Sequence, residues 1–173
     1  MLKKLRIIIF LFSLNAIADY QITVLATNIS NYGGFGEWSF SALYESEKES
    51  ILFDTGFHED TVLHNATILG KDLSRVNKVV LSHFHSDHTG GLIKLRKTYK
   101  ELNENAFSEV YVARGFFDQR FYKDGSKEGP GNFKDSSRFK RVAEEEGIKF
   151  IILDEHKMIS ENLYATGSVE RTV

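Results

Sequence analysis

The sequence predicts an α/β domain. Short apolar strand segments alternate with segments of helical spacing from about residue 50 onward. A histidine-rich stretch sits directly after one such strand and before one such helix. The length, 173 residues, suits one domain with a real core and not comfortably two.

Residues 1–18 stand apart from that domain. Lys3, Lys4 and Arg6 give a positive start, 7–14 are apolar, and Ala16-Ile17-Ala18 supplies small residues at a cleavage site. This is the pattern of a secretory signal peptide cut before Asp19. The apolar run falls short of the roughly 20 residues a spanning helix needs. The expectation is a periplasmic or secreted mature domain, 19–173, with no stable membrane span after cleavage.

The first strand is expected over 20–28, with Ile22, Val24 and Ala26 on one face. Residues 31–36 form a loop by composition, either a lip over a site or a simple connection. Two paired strands follow over 38–44 and 50–53, and the charged turn 45–49 between them is expected to be a solvated tip. Val62, Ala66 and Leu69 have helical spacing over 60–69, ended by Gly70. Residues 77–81 are a buried strand, and Leu92, Leu95 and Tyr99 mark a helix running toward residue 101. A short strand over 109–113 precedes the polar, glycine-rich segment 114–132, which holds the only proline, Pro130. A surface helix is expected over 135–146 with Phe139, Val142 and Ala143 inward and Gly147 at its end. Strands over 148–153 and, more weakly, 162–165 complete the pattern, with 154–157 as a turn.

Composition narrows the function. Apolar content of 42% and charged content of 27% are ordinary for a soluble globular chain. A net charge of −2 without a polybasic patch gives no nucleic-acid footprint. With no cysteine, an exported chain must rely on its core and on any bound metal rather than on disulfides. Neither a thiol nucleophile nor a cysteine ligand is available.

The chemistry concentrates in Ser82-His83-Phe84-His85-Ser86-Asp87-His88-Thr89-Gly90-Gly91, directly after Val79-Val80-Leu81. His83 and His85 are two apart, so in an extended segment both point to one side and can hold one metal ion. Asp87 and His88, where the chain turns into a helix, can face a second ion. Two ions roughly 3.5–4 Å apart clamp an attacking hydroxide and a polarised substrate oxygen. Gly90 and Gly91 let the backbone and the next helix pack close to the site. His58 and His64 lie away from any ligand-like partner and are expected to be non-ligands; His156 is expected at the surface, with Asp154 or His156 as the alternative further ligand should the fold differ.

The motif resembles the metallo-β-lactamase superfamily. Its flanks, Glu37-Trp38-Ser39-Phe40-Ser41, Ile51-Leu52-Phe53-Asp54-Thr55-Gly56, Leu63-His64-Asn65-Ala66 and Ala165-Thr166-Gly167 before Arg171, resemble a narrower branch. That branch contains the archaeal dihydropterin–aminobenzene ribofuranosyl phosphate synthases and their bacterial relatives. The resemblance implies a four-layer αββα sandwich, of which this sequence covers the first half and part of the second. It also implies His83 and His85 at a first metal and Asp87 and His88 at a second, with Asp87 as the catalytic carboxylate. Asp54 would orient the site, although Asp-Thr-Gly also suits a tight turn by itself. The branch often carries a histidine near Val112-Ala113-Arg114; this sequence has none, so the branch's substrate does not simply carry over. Arg114, Arg120 and Tyr122 could meet an anionic substrate or serve surface salt bridges. Further ligands in the branch come from beyond residue 173, so a carboxy-terminally truncated chain is expected, less stable than its length suggests. Its unpaired sheet edge would favour self-association.

The expected function is a metal-dependent hydrolase that uses a metal-bound hydroxide on a small-molecule ester, lactone or phosphoester. Zinc is favoured, one or two ions, with manganese or iron possible. The alternatives are a pterin-related transferase or synthase and a non-catalytic truncated remnant.

Overall fold

The computed structural model describes residues 20–118, 135–161 and 163–169. Six strands form one sheet in chain order: β1 (Tyr20–Ala26), β2 (Ser41–Ser46), β3 (Ser50–Phe53), β4 (Val76–Val80), β5 (Glu109–Ala113) and β6 (Lys149–Leu153). β1, β2 and β3 pair antiparallel, whereas β3 to β6 run parallel. Parallel neighbours need a crossover, and helices fill those crossovers. α1 (Thr61–Ile68) lies between β3 and β4, α2 (Ser86–Thr89) and α3 (Leu92–Tyr99) between β4 and β5, and α4 (Ser136–Glu145) between β5 and β6. A hairpin of β7 (Lys157–Ser160) and β8 (Leu163–Ala165) follows.

The two-residue period of a strand divides the apolar residues between two faces. Leu43, Leu52, Val79, Val110 and Val112 turn toward the helices and join Val62, Ala66, Leu92, Leu95, Phe139 and Ala143 in the main core. Tyr111, Val80, Ile151 and Leu153 turn the other way, under Ile159, Leu163 and Ala165 of the hairpin. The rest of that second face is an apolar groove of about 520 Å³ that includes Ile22, Tyr44 and Phe53 and reaches Ser82. Both faces of the sheet therefore carry apolar residues, and part of the second face stays open. The chain is α/β with a central sheet, as its sequence predicts.

Several local expectations are corrected. A β-bulge between Val24 and Ala26 shifts the register against β2, so Leu25 and Ala26 are both buried while Ile22 and Val24 stay on the open face. Residues 38–40 are not strand, because the Phe40 backbone bonds Asp87 and Gly56 instead of a neighbouring strand. Leu69 follows α1 as its cap and is exposed, so Val62 and Ala66 carry that helix's inward face. The 45–49 turn is solvated only at Glu47 and Lys48. Glu45 pairs with Lys71 at 2.6 Å, and Glu49 with Lys78 at 2.8 Å. β7 has no strand signature in Lys-Met-Ile-Ser. It forms because Ile159 packs on Tyr111 and Leu153, while Lys78 donates to the Ile159 carbonyl at 2.8 Å and Ser160 to Glu49.

Residues 31–36 connect the paired strands β1 and β2. Asn65 pins this loop, accepting from the Phe35 N–H at 2.8 Å and donating to the Phe35 carbonyl at 2.8 Å and the Leu25 carbonyl at 2.7 Å. The amino-terminal segment expected to be a signal peptide lies outside the described residues. Among the described residues no helix is long and apolar enough to cross a membrane.

Candidate metal centre

β4 ends at Val80, and the chain continues extended into the histidine motif. The Leu81 N–H bonds the Tyr111 carbonyl at 3.0 Å. Phe84 then turns into the core, its ring 5.6 Å from Phe116 and 5.4 Å from Phe139. Neighbours of a buried residue in an extended chain emerge on the opposite side. His83 and His85 do so together, with ring centroids 4.4 Å apart. α2 then begins, its His88 and Thr89 N–H groups both donating to the His85 carbonyl at 3.1 Å. This turn returns His88 to within 4.3 Å of His83, ring to ring. Asp87 lies beside them, Oδ2 3.5 Å from His88 Nε2.

Asp54 is the hub beneath these rings. It is 1% exposed and has φ of 52°, a left-handed conformation that aspartate tolerates better than most residues. That turn aims the carboxylate at the end of β4. Oδ1 accepts the Ser82 N–H at 2.8 Å; Oδ2 accepts the Ser82 hydroxyl at 2.8 Å and His88 Nδ1 at 2.6 Å. The Asp54 backbone makes the turn, and its side chain orients His88. The hydrogen bond that His88 donates to Asp54 raises the His88 pKa above the usual histidine value; burial lowers it, and the charges of Asp54 and Asp87 add to the rise.

The turn carrying Asp54 is locked against the motif through the backbone. Thr55 N–H and Oγ1 both bond the His88 carbonyl, at 2.7 and 3.0 Å, and the Gly90 N–H bonds the Gly56 carbonyl at 2.8 Å. A Cβ on Gly90 would lie 1.8 Å from the Phe57 carbonyl oxygen, and one on Gly91 2.4 Å from that of Thr55. The two glycines therefore permit close approach, as expected.

Glu37 is a residue whose role the sequence did not reveal. Its Oε1 accepts Ser39 Oγ and the Phe57 N–H, both at 2.7 Å. Oε2 accepts Thr61 Oγ1 at 2.8 Å and the His58 N–H at 3.1 Å. Burial pushes its pKa up, but the bonds from Ser39, Phe57, His58 and Thr61 outweigh it and hold the group below the ordinary 4.5. A carboxylate depressed in the folded state contributes stability that is present above its unfolded pKa and lost as pH falls through its folded pKa. Glu37→Gln is expected to cost about 1–2 kcal/mol at pH 7. The gap to the parent chain should close as pH falls below 4.5, measured by urea unfolding at a series of pH values; an unchanged gap would refute this role.

Other sequence candidates stay apart from the cluster. His64 stacks on Phe35 at 3.9 Å and bonds the Gly33 carbonyl through Nε2 at 2.7 Å. His58 packs on Phe57. His156 is exposed in the turn between β6 and β7. Arg114 uses its guanidinium on Asp154 at 2.6 Å, an exposed pair. Arg120 and Tyr122 lie outside the described residues. Among the described residues no group of three or more histidine, aspartate or glutamate side chains is gathered tightly enough to hold an ion as it stands.

The donor chemistry nonetheless fits a metal. Ligating imidazoles typically fix one ring nitrogen on a carboxylate or similar partner and present the other. His88 has this arrangement through Nδ1 on buried Asp54. His83 Nδ1 has a partner in the Ser82 hydroxyl at 2.9 Å. Ser82 is not legible as a site residue from sequence, because a serine before His-x-His has no signature of its own.

Comparisons with known proteins bear on the family and the fold. The family model of the metallo-beta-lactamase superfamily matches residues 39–155, more than half of the chain. A 7,8-dihydropterin-6-methyl-4-(beta-D-ribofuranosyl)-aminobenzene-5'-phosphate synthase of Methanocaldococcus jannaschii is 31% identical over 100 residues, 54% of this chain and 33% of its own. An uncharacterized protein of the same organism is 35% identical over 72 residues, 42% of this chain and 28% of its own. A solved metal-dependent hydrolase of the beta-lactamase superfamily superposes with a TM-score of 0.56 at 30% identity, over 83% of this chain and 46% of its own. The chain thus spans about a third of the length of the curated relatives it matches and about half of that solved structure.

Proposed function

The chain belongs to the metallo-beta-lactamase superfamily, and on that premise we propose that it is a metal-dependent hydrolase of a small-molecule ester, lactone or phosphoester. The observation that carries this reading is the ring-to-ring gathering of His83, His85 and His88 at the end of β4, over the buried Asp54 carboxylate. His83 and His85 would hold a first ion, and Asp87 and His88 a second. Zinc suits three imidazoles and a carboxylate, and manganese or iron would be accepted by the same donors. Such an ion, when bound, lowers the pKa of water toward about 7 and polarises a carbonyl or phosphoryl oxygen. Asp87 would orient the attacking water and take its proton. Asp54 would keep His88 turned with Nε2 toward Asp87.

The match to a dihydropterin-linked phosphate synthase supports a second reading, a pterin-related transferase or synthase. The motif's donors would serve either chemistry, so substrate decides between them.

The test is metal content by elemental mass spectrometry after zinc loading and desalting, followed by hydrolysis assays on ester, lactone and phosphoester panels and on pterin phosphates. Zinc retained by the parent chain and lost in His83→Ala and His85→Ala, with metal-dependent turnover lost in parallel, is expected. Full activity in either variant would sink the mechanism. Much less than one ion per parent chain would mark a non-catalytic remnant.

A further inference from the structure

Two acceptor-capable groups flank the Ser82 hydroxyl, and hydrogen-bond bookkeeping leaves one assignment. Ser82 Oγ lies 2.8 Å from Asp54 Oδ2 and 2.9 Å from His83 Nδ1. A hydroxyl has one proton, and a carboxylate oxygen only accepts. The Ser82 proton therefore goes to Asp54, and toward His83 the same oxygen can only accept. His83 must donate from Nδ1, which makes Nε2 its lone-pair nitrogen. His88 Nδ1 meets the same Asp54 oxygen at 2.6 Å and carries its proton for the same reason.

We infer that Ser82 is a positioning residue that extends the reach of Asp54 to a second ring, fixing His83 as the Nδ1–H tautomer with Nε2 as its metal-binding atom. A single buried carboxylate thereby sets two of the three imidazoles, His88 directly and His83 through one hydroxyl. The inference rests on the metal reading for its effect on affinity, but the tautomer does not depend on metal. Ser82 is exposed, and its backbone N–H keeps a separate bond to Asp54 Oδ1 at 2.8 Å. Removing the hydroxyl therefore leaves the turn tied, and threonine keeps a hydroxyl at the same position.

The test compares the parent chain, Ser82→Ala and Ser82→Thr. Long-range proton–nitrogen NMR correlation of the metal-free proteins, above the histidine titration range, reads the His83 tautomer. Zinc affinity is read by chelator competition. The expected result is Nδ1–H at His83 in the parent and in Ser82→Thr, and a shift toward Nε2–H in Ser82→Ala. Zinc affinity should fall about 10- to 100-fold in Ser82→Ala and recover in Ser82→Thr, as for other outer partners of ligating histidines. A His83 tautomer indifferent to the hydroxyl, in a Ser82→Ala protein that still folds, would overturn the inference whatever the metal does. A parent chain that takes up no zinc would instead overturn the metal reading and the affinity role, while the NMR comparison still decides the tautomer.

Discussion

Gly90→Ala is expected to destabilise the fold by about 3 kcal/mol, since packed backbone cannot move aside for an added methyl. Backbone preference points the other way. Gly90 has φ of −61° and ψ of −40°, a helical conformation in which alanine is better than glycine by about 1 kcal/mol. The opposing effect is steric: the new Cβ would lie 1.8 Å from the Phe57 carbonyl oxygen and 2.5 Å from its carbon, both backbone atoms. Relief requires separating the Asp54–Phe57 turn from α2, which breaks the Gly90–Gly56 hydrogen bond and displaces His88. Gly70→Ala is the control. Gly70 has φ of 65°, and an added methyl there would meet nothing within 4 Å, so it should cost only the left-handed penalty of about 1–2 kcal/mol. Urea unfolding of both variants checks the pair. Equal losses would mean that the close approach at Gly90 is not what holds the turn.

Replacing Asp54 should have the largest combined effect on fold and site. Asp54→Ala leaves the Ser82 N–H, the Ser82 hydroxyl and His88 Nδ1 without their acceptor and places alanine at φ of 52°. Hydrogen bonds to a charged group are worth about 1.5–3 kcal/mol each, so losing these costs about 3–5 kcal/mol in all once the exposed Ser82 donors turn to water. Asp54→Asn separates stability from function, because asparagine tolerates the left-handed turn. It retains one acceptor oxygen, so the stability cost falls to about 1–3 kcal/mol. Its amide nevertheless sets donors where the carboxylate accepted, and zinc affinity should drop about 10- to 100-fold with His88 no longer held. Thermal unfolding and chelator competition on the two variants check both halves. A fully folded Asp54→Asn chain with unchanged zinc affinity would show that the carboxylate serves only the turn.

Much of the sheet was legible because its cues are local. β3 and β5 fall where their apolar runs place them, and α3 follows the spacing of Leu92, Leu95 and Tyr99. β7 was not legible, because Lys157–Ser160 becomes a strand only by packing Ile159 on Tyr111 and pairing with β8. The bulge at Val24–Ala26 was hidden for a similar reason: one unpaired residue changes which face is buried without changing composition. The surface roles of Glu45 and Glu49 also depended on distant partners, Lys71 and Lys78, which no charge pattern identifies.

By itself the sequence determined the chemistry on offer: three imidazoles and a carboxylate after a buried strand, no thiol, and glycines where the backbone must close. Those follow from residue type and short-range spacing. The tertiary structure decided how the groups are held. Asp54 is 28 residues from Ser82 and 34 from His88, and Glu37 is 20 from the Phe57 amide it binds. Hydrogen bonds across such separations have no local signature, because their geometry exists only after parallel β3 and β4 bring the ends of both strands to one place.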